Sequence, residues 1–370
     1  MLSTVKISNR QMTIITCLFS IGTTILVAPS TLAANAQQDA WICALLGNAV
    51  GLGLAWLYIS VGLFYPKNNL LEINERILGK WLGWLASCFF LFTMLLSSAQ
   101  VLFYIGNFLK TNMFPETPII ALHILFLLVV MLAAHLGLET FARSIELFVP
   151  LLLLLFFSLI FFLFPSMEIE NIQPILEADG KSLVKGTLTF ASMTYLTLPT
   201  LLVFFPVCLT DPRSARKYFI AGGLIAGLKL SMVILVSILV LGPDGSILYA
   251  YPSYTLAQRI SIGNFLQRVE AIVAILWFFT IFVKLSMYFY AGLISMTHVF
   301  RLRTYKPLII PTAFVVAVFS LIVYPNTAYM AKWDVDAWFP YSLIFGLFYP
   351  LLLLVVGLIR AKTKPGRDPS

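Results

Sequence analysis

Lys284 is the side chain whose type and position demand most of the chain. It stands near the middle of a long apolar stretch, Phe265–Phe300. In a bilayer an ammonium at that depth costs about 2.5–3.5 kcal/mol on insertion scales. It must face water, release its proton, or meet an anion. No Asp or Glu lies deep in any apolar run, Glu146 being near the end of one. A ligand carboxylate is one fitting partner. The alternative is a structural lysine bonded to unwound carbonyls, standing where a coupling cation would otherwise sit. Tyr288 lies one turn on, and Trp277 and Thr280 fall on nearly the same helix face.

The second chemistry-bearing group is main chain. Ile21–Pro29 reads Ile-Gly-Thr-Thr-Ile-Leu-Val-Ala-Pro in the middle of the first apolar run. Gly22 and Pro29 are poor helix-interior residues, and Thr23 and Thr24 can bond backbone instead of extending the helix. A half-helix starting near Thr24 would aim its positive dipole end at a carboxylate. Unwound backbone at mid-membrane depth survives only where protein buries it or it lines a cavity. Gly22, Thr23, Thr24 and Ile25 are therefore expected to form one wall of a ligand pocket, which a large residue at position 22 would fill. The sixth run repeats the feature at Tyr195, Thr197 and Leu198, with Pro199 able to break the helix. A kinked structural helix without a ligand is the other reading.

Ser97, Gln100 and Tyr104 share a helix face in the third run. Such residues serve as ligand contacts or, more often, as glue between membrane helices. Lys229 in the seventh run is similar to Lys284 but lonelier. Arg268 and Glu270 pair or cap at the start of the eighth. His123, His135 and His298 lie too far apart to propose a metal site, and Cys17, Cys43, Cys88 and Cys208 read as small buried hydrophobes. No nucleophile–base set, phosphate-binding loop, zinc-protease motif or paired catalytic carboxylates occur, so an enzyme reading has no residues to stand on and no cofactor is implied.

These groups need helices to hold them. The 370 residues are 60% hydrophobic and 11% charged, where soluble domains carry about 25% charge. Apolar runs of about 20 residues give ten spans: Met12–Ala33, Trp41–Tyr65, Trp81–Leu109, Ile119–Leu138, Ile145–Phe164, Leu183–Leu209, Tyr218–Leu241, Phe265–Phe300, Leu308–Tyr324 and Trp338–Ile359. With the N-terminus inside, 16 of the 24 Lys and Arg fall in cytoplasmic segments and 5 in outer ones. This places both termini in the cytoplasm. The net charge of +8 thus reports membrane orientation, not nucleic-acid binding. Lys6 and Arg10 before an apolar stretch, with Ala34-Asn35-Ala36 after it, imitate a cleavable leader. The interrupted apolar core argues against one.

Five spans per half force the second half to run opposite to the first, the arithmetic of a five-plus-five inverted repeat in which the first and sixth spans are broken. The chain reads as one all-α membrane domain, 1–370, with a first repeat over 1–165, a second over 183–360 and a basic tail over 361–370. The loop Pro165–Ser182 is acidic through Glu168, Glu170, Glu177 and Asp179. Gly242–Gly263 is either a capping or re-entrant segment or a solvated loop.

The first-span pattern Ile21–Pro29 is similar to the opening of the amino acid–polyamine–organocation superfamily. More narrowly, the chain resembles the B subunit of bacterial spore germinant receptors. The blocks that carry this are Leu78-Gly79-Lys80-Trp81-Leu82-Gly83, Asn171-Ile172-Gln173-Pro174-Ile175-Leu176, Phe205-Pro206 running to Gly222-Gly223, Tyr251-Pro252-Ser253, Leu266–Glu270 leading to Trp277, and Tyr324-Pro325. The resemblance implies a LeuT-like fold in the spore inner membrane. It implies a B subunit that binds a small nutrient germinant, often an amino acid, and acts with an A subunit and a lipoprotein C subunit to trigger ion release. Gly22, Ser97, the Thr197–Leu198 break, and Lys284 with Tyr288 match the family's pocket walls. The chain departs from the family pattern at Thr24 and at Leu198-Pro199, where glycines are usual, and at Lys284. These departures imply a narrower pocket that favours an anionic head. The same fold also serves a proton-coupled amino acid permease or a scaffolding subunit without ligand, and fold does not separate them.

Overall fold

A helix that starts at a well-formed cap and stops in the middle of the bilayer sets the architecture. In the computed structural model, which describes residues 5–363 except 213, 250 and 259–269, Ser8 and Gln11 form a reciprocal capping box and launch α1 (Asn9–Ile21). Gly22 ends it with φ +24°, a conformation that L side chains rarely adopt. After Thr23 the chain restarts as α2 (Thr24–Ala36), which runs through a short 3-10 turn into α3 (Ala40–Phe64).

The expected weak point at Pro29 is not one. Pro29 lies inside α2. A proline cannot donate to the carbonyl four residues back, here that of Ile25. The hydroxyl of Ser253 donates to that oxygen instead, at 2.6 Å. The break therefore belongs to Gly22 and Thr23 alone.

The remaining spans are α5 (Lys80–Asn112), α6 (Ile119–Leu136), α7 (Leu138–Leu163), α8 (Gly180–Thr194), α9 (Ala215–Leu248), α11 (Glu270–Val299), α12 (Ile309–Ile322) and the final pair α14 (Trp338–Leu343) and α15 (Tyr349–Thr363). Three shorter helices, α4 (Leu70–Leu78), α10 (Pro252–Gln258) and α13 (Thr327–Asp336), lie between them. Among the described residues, eight helices are singly long and apolar enough to cross a membrane, and nine if the bent pair α12–α13 counts as one span. The ten-span reading adds the first span, whose two 13-residue halves are each too short to qualify alone. The architecture is the all-α, LeuT-like arrangement with spans one and six broken.

The sixth span breaks earlier than Pro199. α8 ends at Thr194, and after a turn the chain continues as a 3-10 helix, Leu198–Val203, with Pro199 in its first turn. A π turn over Ile344–Phe348 interrupts the last span, and Gly346 within it faces the break. A Cβ there would sit 2.3 Å from the Leu196 carbonyl oxygen. Only glycine lets the two interruptions meet.

Loops counted from sequence as connections prove structured. α4 is amphipathic, with Leu70, Leu71, Ile73 and Ile77 buried and a capping box from Asn69 and Glu72. The segment after Gly242 is a packed cap: α9 kinks at Gly242, and α10 packs against α2, α9 and α11 with Ser253 buried. Residues 259–263 of that segment lie outside the described residues. So do Phe265–Val269 of the eighth span with Arg268 of its expected pair, and the basic tail from residue 364 on.

The acidic loop is tied to α9 through the Leu239 carbonyl, which accepts from the Glu168 N–H and Asn171 Nδ2, and to the end of the first span through one buried carboxylate. Asp39 is fully buried at the end of α2 and accepts from the backbone N–H groups of Leu176 (2.8 Å) and Ala178 (2.9 Å). Gln38 adds bonds to the Pro174 carbonyl and to Glu177. Charged hydrogen bonds of this kind are worth about 1.5–3 kcal/mol each, and losing the acceptor strands two donors. Asp39→Ala is expected to lower stability by ~2–4 kcal/mol, read as a lower melting temperature of the purified protein and faster proteolytic nicking within 167–179. An unchanged nicking rate would show that the loop is held by other contacts.

Candidate functional site

The break of the first span and the end of α8 face one hollow of about 60 Å³. Its walls come from Thr23 and α2 (Thr24 and Val27), α5 (Ser97, Gln100, Val101 and Tyr104), α8 (Met193) and α11 (Lys284 and Tyr288). Tyr324, Asp334 and Trp338 close it from the α12–α14 region.

The helix break is held by side chains, as backbone in lipid requires. Thr24 donates through its hydroxyl toward the carbonyls of Ser20 (3.3 Å) and Met193 (3.2 Å), which ties the break of span one to the end of α8. Thr280 donates to the Gly22 carbonyl at 3.4 Å as well as to that of Trp277 at 3.0 Å. Thr23 makes no side-chain cap, and the start of α2 lines the hollow through Thr23, Thr24 and Val27, with the Leu26 N–H reaching the Thr23 carbonyl at 3.4 Å.

Lys284 is 3% exposed. Its stem crosses Gly22, and its ammonium lies 3.4 Å from the Thr23 hydroxyl and 5.6 Å from the Phe19 ring centre. Among the described residues it makes no ion pair. The Tyr288 ring packs edge-on against Phe19, with its hydroxyl beside Thr197 and Ser97.

Of the residues singled out from sequence, Thr23, Thr24, Ser97, Lys284 and Tyr288 converge on the hollow, together with Gln100 and Tyr104 from the same α5 face. Others do not line it. Gly22 lies behind Thr23 under the lysine stem, so a larger residue there would strike Lys284 and not fill the hollow. Ile25 faces the opposite side of α2, in a small cavity with Lys229, Phe156 and Thr280. Tyr195 points away, its hydroxyl donating to Asn48 Oδ1 (2.8 Å) and lying 3.0 Å from the Gly223 carbonyl. Thr197 reaches the site only through Tyr288, and Leu198 is buried in the core.

Asp334 is the residue that sequence reasoning missed. By position it belongs to an outer loop, yet α13 folds back at 94° to α12 and sets the carboxylate in the wall, where the Tyr104 hydroxyl donates to it. A signal was present. Asn326 after Tyr324-Pro325 is a helix-start pattern, and Asn326 does cap α13, accepting from the Tyr329 N–H at 2.8 Å.

A family model described as spore germination protein matches residues 6–328. The chain belongs to the spore germination protein family. Among its relatives in that family, spore germination protein KB of Bacillus subtilis (strain 168) is 28% identical over 364 residues, 97% of this chain and 96% of the relative. Spore germination protein B2 of the same organism is 22% identical, covering 95% and 93%. GerLB of Bacillus cereus is 24% identical, covering 90% and 89%. Among solved structures, Mhp1, a nucleobase-cation-symport-1 family transporter in a closed conformation with bromovinylhydantoin bound, aligns with TM-score 0.58 at 12% identity, covering 98% of this chain and 94% of that one. A mutant of the Eremococcus coleocola manganese transporter aligns with TM-score 0.57, also at 12% identity, covering 99% and 92%. At that identity the likeness is one of fold. This member of the germination family is thus an integral membrane protein built like a transporter.

In this family member the contact most exposed to a test is Gly22 against Lys284. A Cβ at position 22 would lie 2.3 Å from the lysine Cδ and 3.0 Å from the Phe19 carbonyl, at a positive φ. Gly22→Ala should cost ~1–3 kcal/mol in backbone strain and displace the lysine stem. The check is a lower melting temperature together with faster modification of Lys284 by an amine reagent. A variant as stable and as slowly modified as the parent would show that the break relaxes freely.

Proposed function

We propose that this chain is the nutrient-sensing membrane subunit of a spore germinant receptor, with its ligand seat in the hollow between the two broken spans. The observation that carries the reading is the convergence of an ammonium without an ion pair among the described residues, the N-terminal end of α2 and hydroxyls from α5 and α11 on one cavity in a chain of this family. The α2 terminus and Lys284 both favour a negative group, so the nutrient is a small carboxylate-bearing molecule, an amino acid by the family resemblance. The chain then sits in the spore inner membrane with its termini in the cytoplasm. It works with an A subunit and a lipoprotein C subunit that couple ligand binding to germination.

A second reading, a proton-coupled amino acid permease, is favoured by the likeness to transporters. Flux of labelled amino acid into proteoliposomes separates the two, since a sensor shows binding without sustained uptake.

The test of the seat is a germination assay across amino acids, sugars and nucleosides in a strain carrying only this receptor. Lys284→Met should raise the half-maximal concentration of a carboxylate-bearing germinant by at least ~30-fold, the equivalent of about 2 kcal/mol for one lost charged contact. The membrane level of the subunit should not change. A wild-type dose–response curve would show that Lys284 is not the carboxylate partner.

A further inference from the structure

The face of the N-terminus carries a second and larger space, which shares no lining residue with the hollow. It is a cleft of about 430 Å³ between the turn after α3, the start of α4 and the end of α11. Lys67, Arg301 and Arg303 line it. Its two carboxylates are already engaged. Glu72 belongs to the α4 cap, accepting from the Asn69 N–H at 3.0 Å and from Asn68 Nδ2 at 2.9 Å, and Glu75 lies 3.2 Å from His298 Nε2. Among the described residues, Lys67, Arg301 and Arg303 make no ion pair and no side-chain hydrogen bond. The cleft is short of anions.

The placing of Arg301 sharpens this. α11 ends in the two bonds of a Schellman turn, from the Leu302 N–H to the Thr297 carbonyl at 2.8 Å and from the Arg301 N–H to the His298 carbonyl at 3.1 Å. The left-handed position in such a turn is usually glycine. Here it is Arg301, with φ +53°. Orientation in the membrane asks only for basic residues somewhere on this face. It does not ask for an arginine where an L side chain is strained, and strain of that kind marks a position with a use.

Beside the cations the surface turns apolar. Phe300, between His298 and Arg301 of the cleft, is exposed, as is Leu302 in the cleft itself. Trp84 donates its indole N–H to the Val299 carbonyl at 3.2 Å, and Trp81, at the start of the same spanning helix, is 82% exposed. Exposed tryptophans at the end of a span sit at headgroup level. In the orientation proposed above this is the cytoplasmic leaflet, the side on which basic pockets between helices recognise anionic lipid.

We propose that the cleft holds the headgroup of an anionic phospholipid. Its phosphate lies among Lys67, Arg301 and Arg303, and its acyl chains leave over Phe300, Trp84 and Trp81. At about 10–15 Å³ for each water-sized group, the cleft has room for roughly thirty to forty of them, enough for a phosphate with its glycerol and a further polar substituent. A soluble anion would use the cations and leave the apolar flank idle. A zwitterionic lipid would bring a cation to a cleft that already has three. Lys67 follows the second span and Arg301 and Arg303 follow the eighth, so one phosphate joins the two repeats. It does so beside Val207, a cleft residue whose carbonyl accepts from Lys6 Nζ at 3.3 Å. The lipid thereby braces the face that the N-terminal segment closes.

The test is native mass spectrometry of the purified full chain in detergent, titrated with dioleoyl phosphatidylglycerol, dioleoyl phosphatidylcholine or glycerol 3-phosphate. Phosphatidylglycerol should bind at least ~10-fold more tightly than phosphatidylcholine. The triple variant Lys67→Gln, Arg301→Gln, Arg303→Gln should reduce that preference to within about threefold, with a melting temperature in phosphatidylcholine no lower than the parent's showing that it is folded. Arg143→Gln, Arg216→Gln, Lys217→Gln removes the same charge elsewhere and should keep the preference. Arg301→Gly alone should melt ~1–3 °C higher in phosphatidylcholine and yet bind phosphatidylglycerol more weakly, a pair of opposite effects that a merely structural arginine would not give. Equal binding of the two lipids by the parent, equal loss in the two triple variants, or unchanged affinity in Arg301→Gly would overturn the assignment. Glycerol 3-phosphate bound as tightly as phosphatidylglycerol would overturn it too, since the occupant would then be a soluble anion. None of these outcomes touches the hollow, whose test is the germination response.

Discussion

Everything at the site follows from one constraint: a peptide group in hydrocarbon must be hydrogen-bonded, and a helix that stops midway leaves several that are not. The chain meets this debt from three directions. Thr24 bonds back to Ser20 and across to Met193, Thr280 reaches the Gly22 carbonyl, and Ser253 covers the carbonyl that Pro29 frees. Each donor comes from an element that also shapes the hollow or its cover. The same bonds that make the break tolerable therefore fix α8, α10 and α11 around it. The N-terminal end of α2, with the positive end of its dipole, lies at the cavity.

Lys284 joins the structural and chemical roles that sequence alone left as alternatives. Its stem fills the groove that a missing side chain at Gly22 creates, which is why the position has no room for a Cβ. Its ammonium gains a cation–π contact with Phe19, worth about 0.5–2 kcal/mol. Against an insertion cost of about 2.5–3.5 kcal/mol, that contact leaves part of the charge uncompensated. A long hydrogen bond to Thr23 closes little of the gap. Lys284 packs as a core residue and, among the described residues, has no counter-charge, which is the ground for proposing it as the partner of an anion.

The parts of the site legible in the sequence are those encoded locally. Gly22 with two threonines gave the break, because glycine and backbone-bonding hydroxyls act within a turn. The Ser97, Gln100 and Tyr104 face followed from helical spacing, and each of the three lines the hollow. What stayed hidden depends on partners distant in the chain. Pro29 looked like a breaker because Ser253, which relieves it, lies 224 positions away in a segment that read equally well as solvated loop. Tyr195 looked like a pocket residue because its partners, Asn48 and Gly223, sit on two other helices. Asp334 was hidden for a geometric reason. Hydropathy assigns a short polar helix to the loop, and only the fold-back of α13 carries its carboxylate inward.

The two faces of the protein are closed by bonds of different kinds, and this bears on sensor against permease. On the face of the N-terminus, Ile7 pairs as backbone with Cys208 and Thr210 at 2.8 and 3.1 Å. The Lys6 N–H donates to Glu139 at 2.6 Å, Asn9 bonds Asp211 and Ser214, and Gln11 bonds Glu146. The Arg10–Glu146 pair adds little, since Arg10 is 74% exposed and exposed pairs are worth about 0–1 kcal/mol. On the opposite face the hollow is covered by α13 and joined to it through the Tyr104–Asp334 contact. α13 has no fully buried residue, and swinging it outward breaks the Tyr104–Asp334 contact and the ring contacts of Tyr329 and Trp333 with Tyr324 and Tyr341, without unpairing backbone. Opening the N-terminal face requires unpairing backbone and several side chains together. A ligand shifts an equilibrium only by its differential affinity for the two states. On the proposed reading a ligand enters from the α13 side, closed by ring contacts and one polar contact, while passage would also require opening the face closed by paired backbone. That asymmetry supports a subunit that captures and reports over one that passes its ligand through.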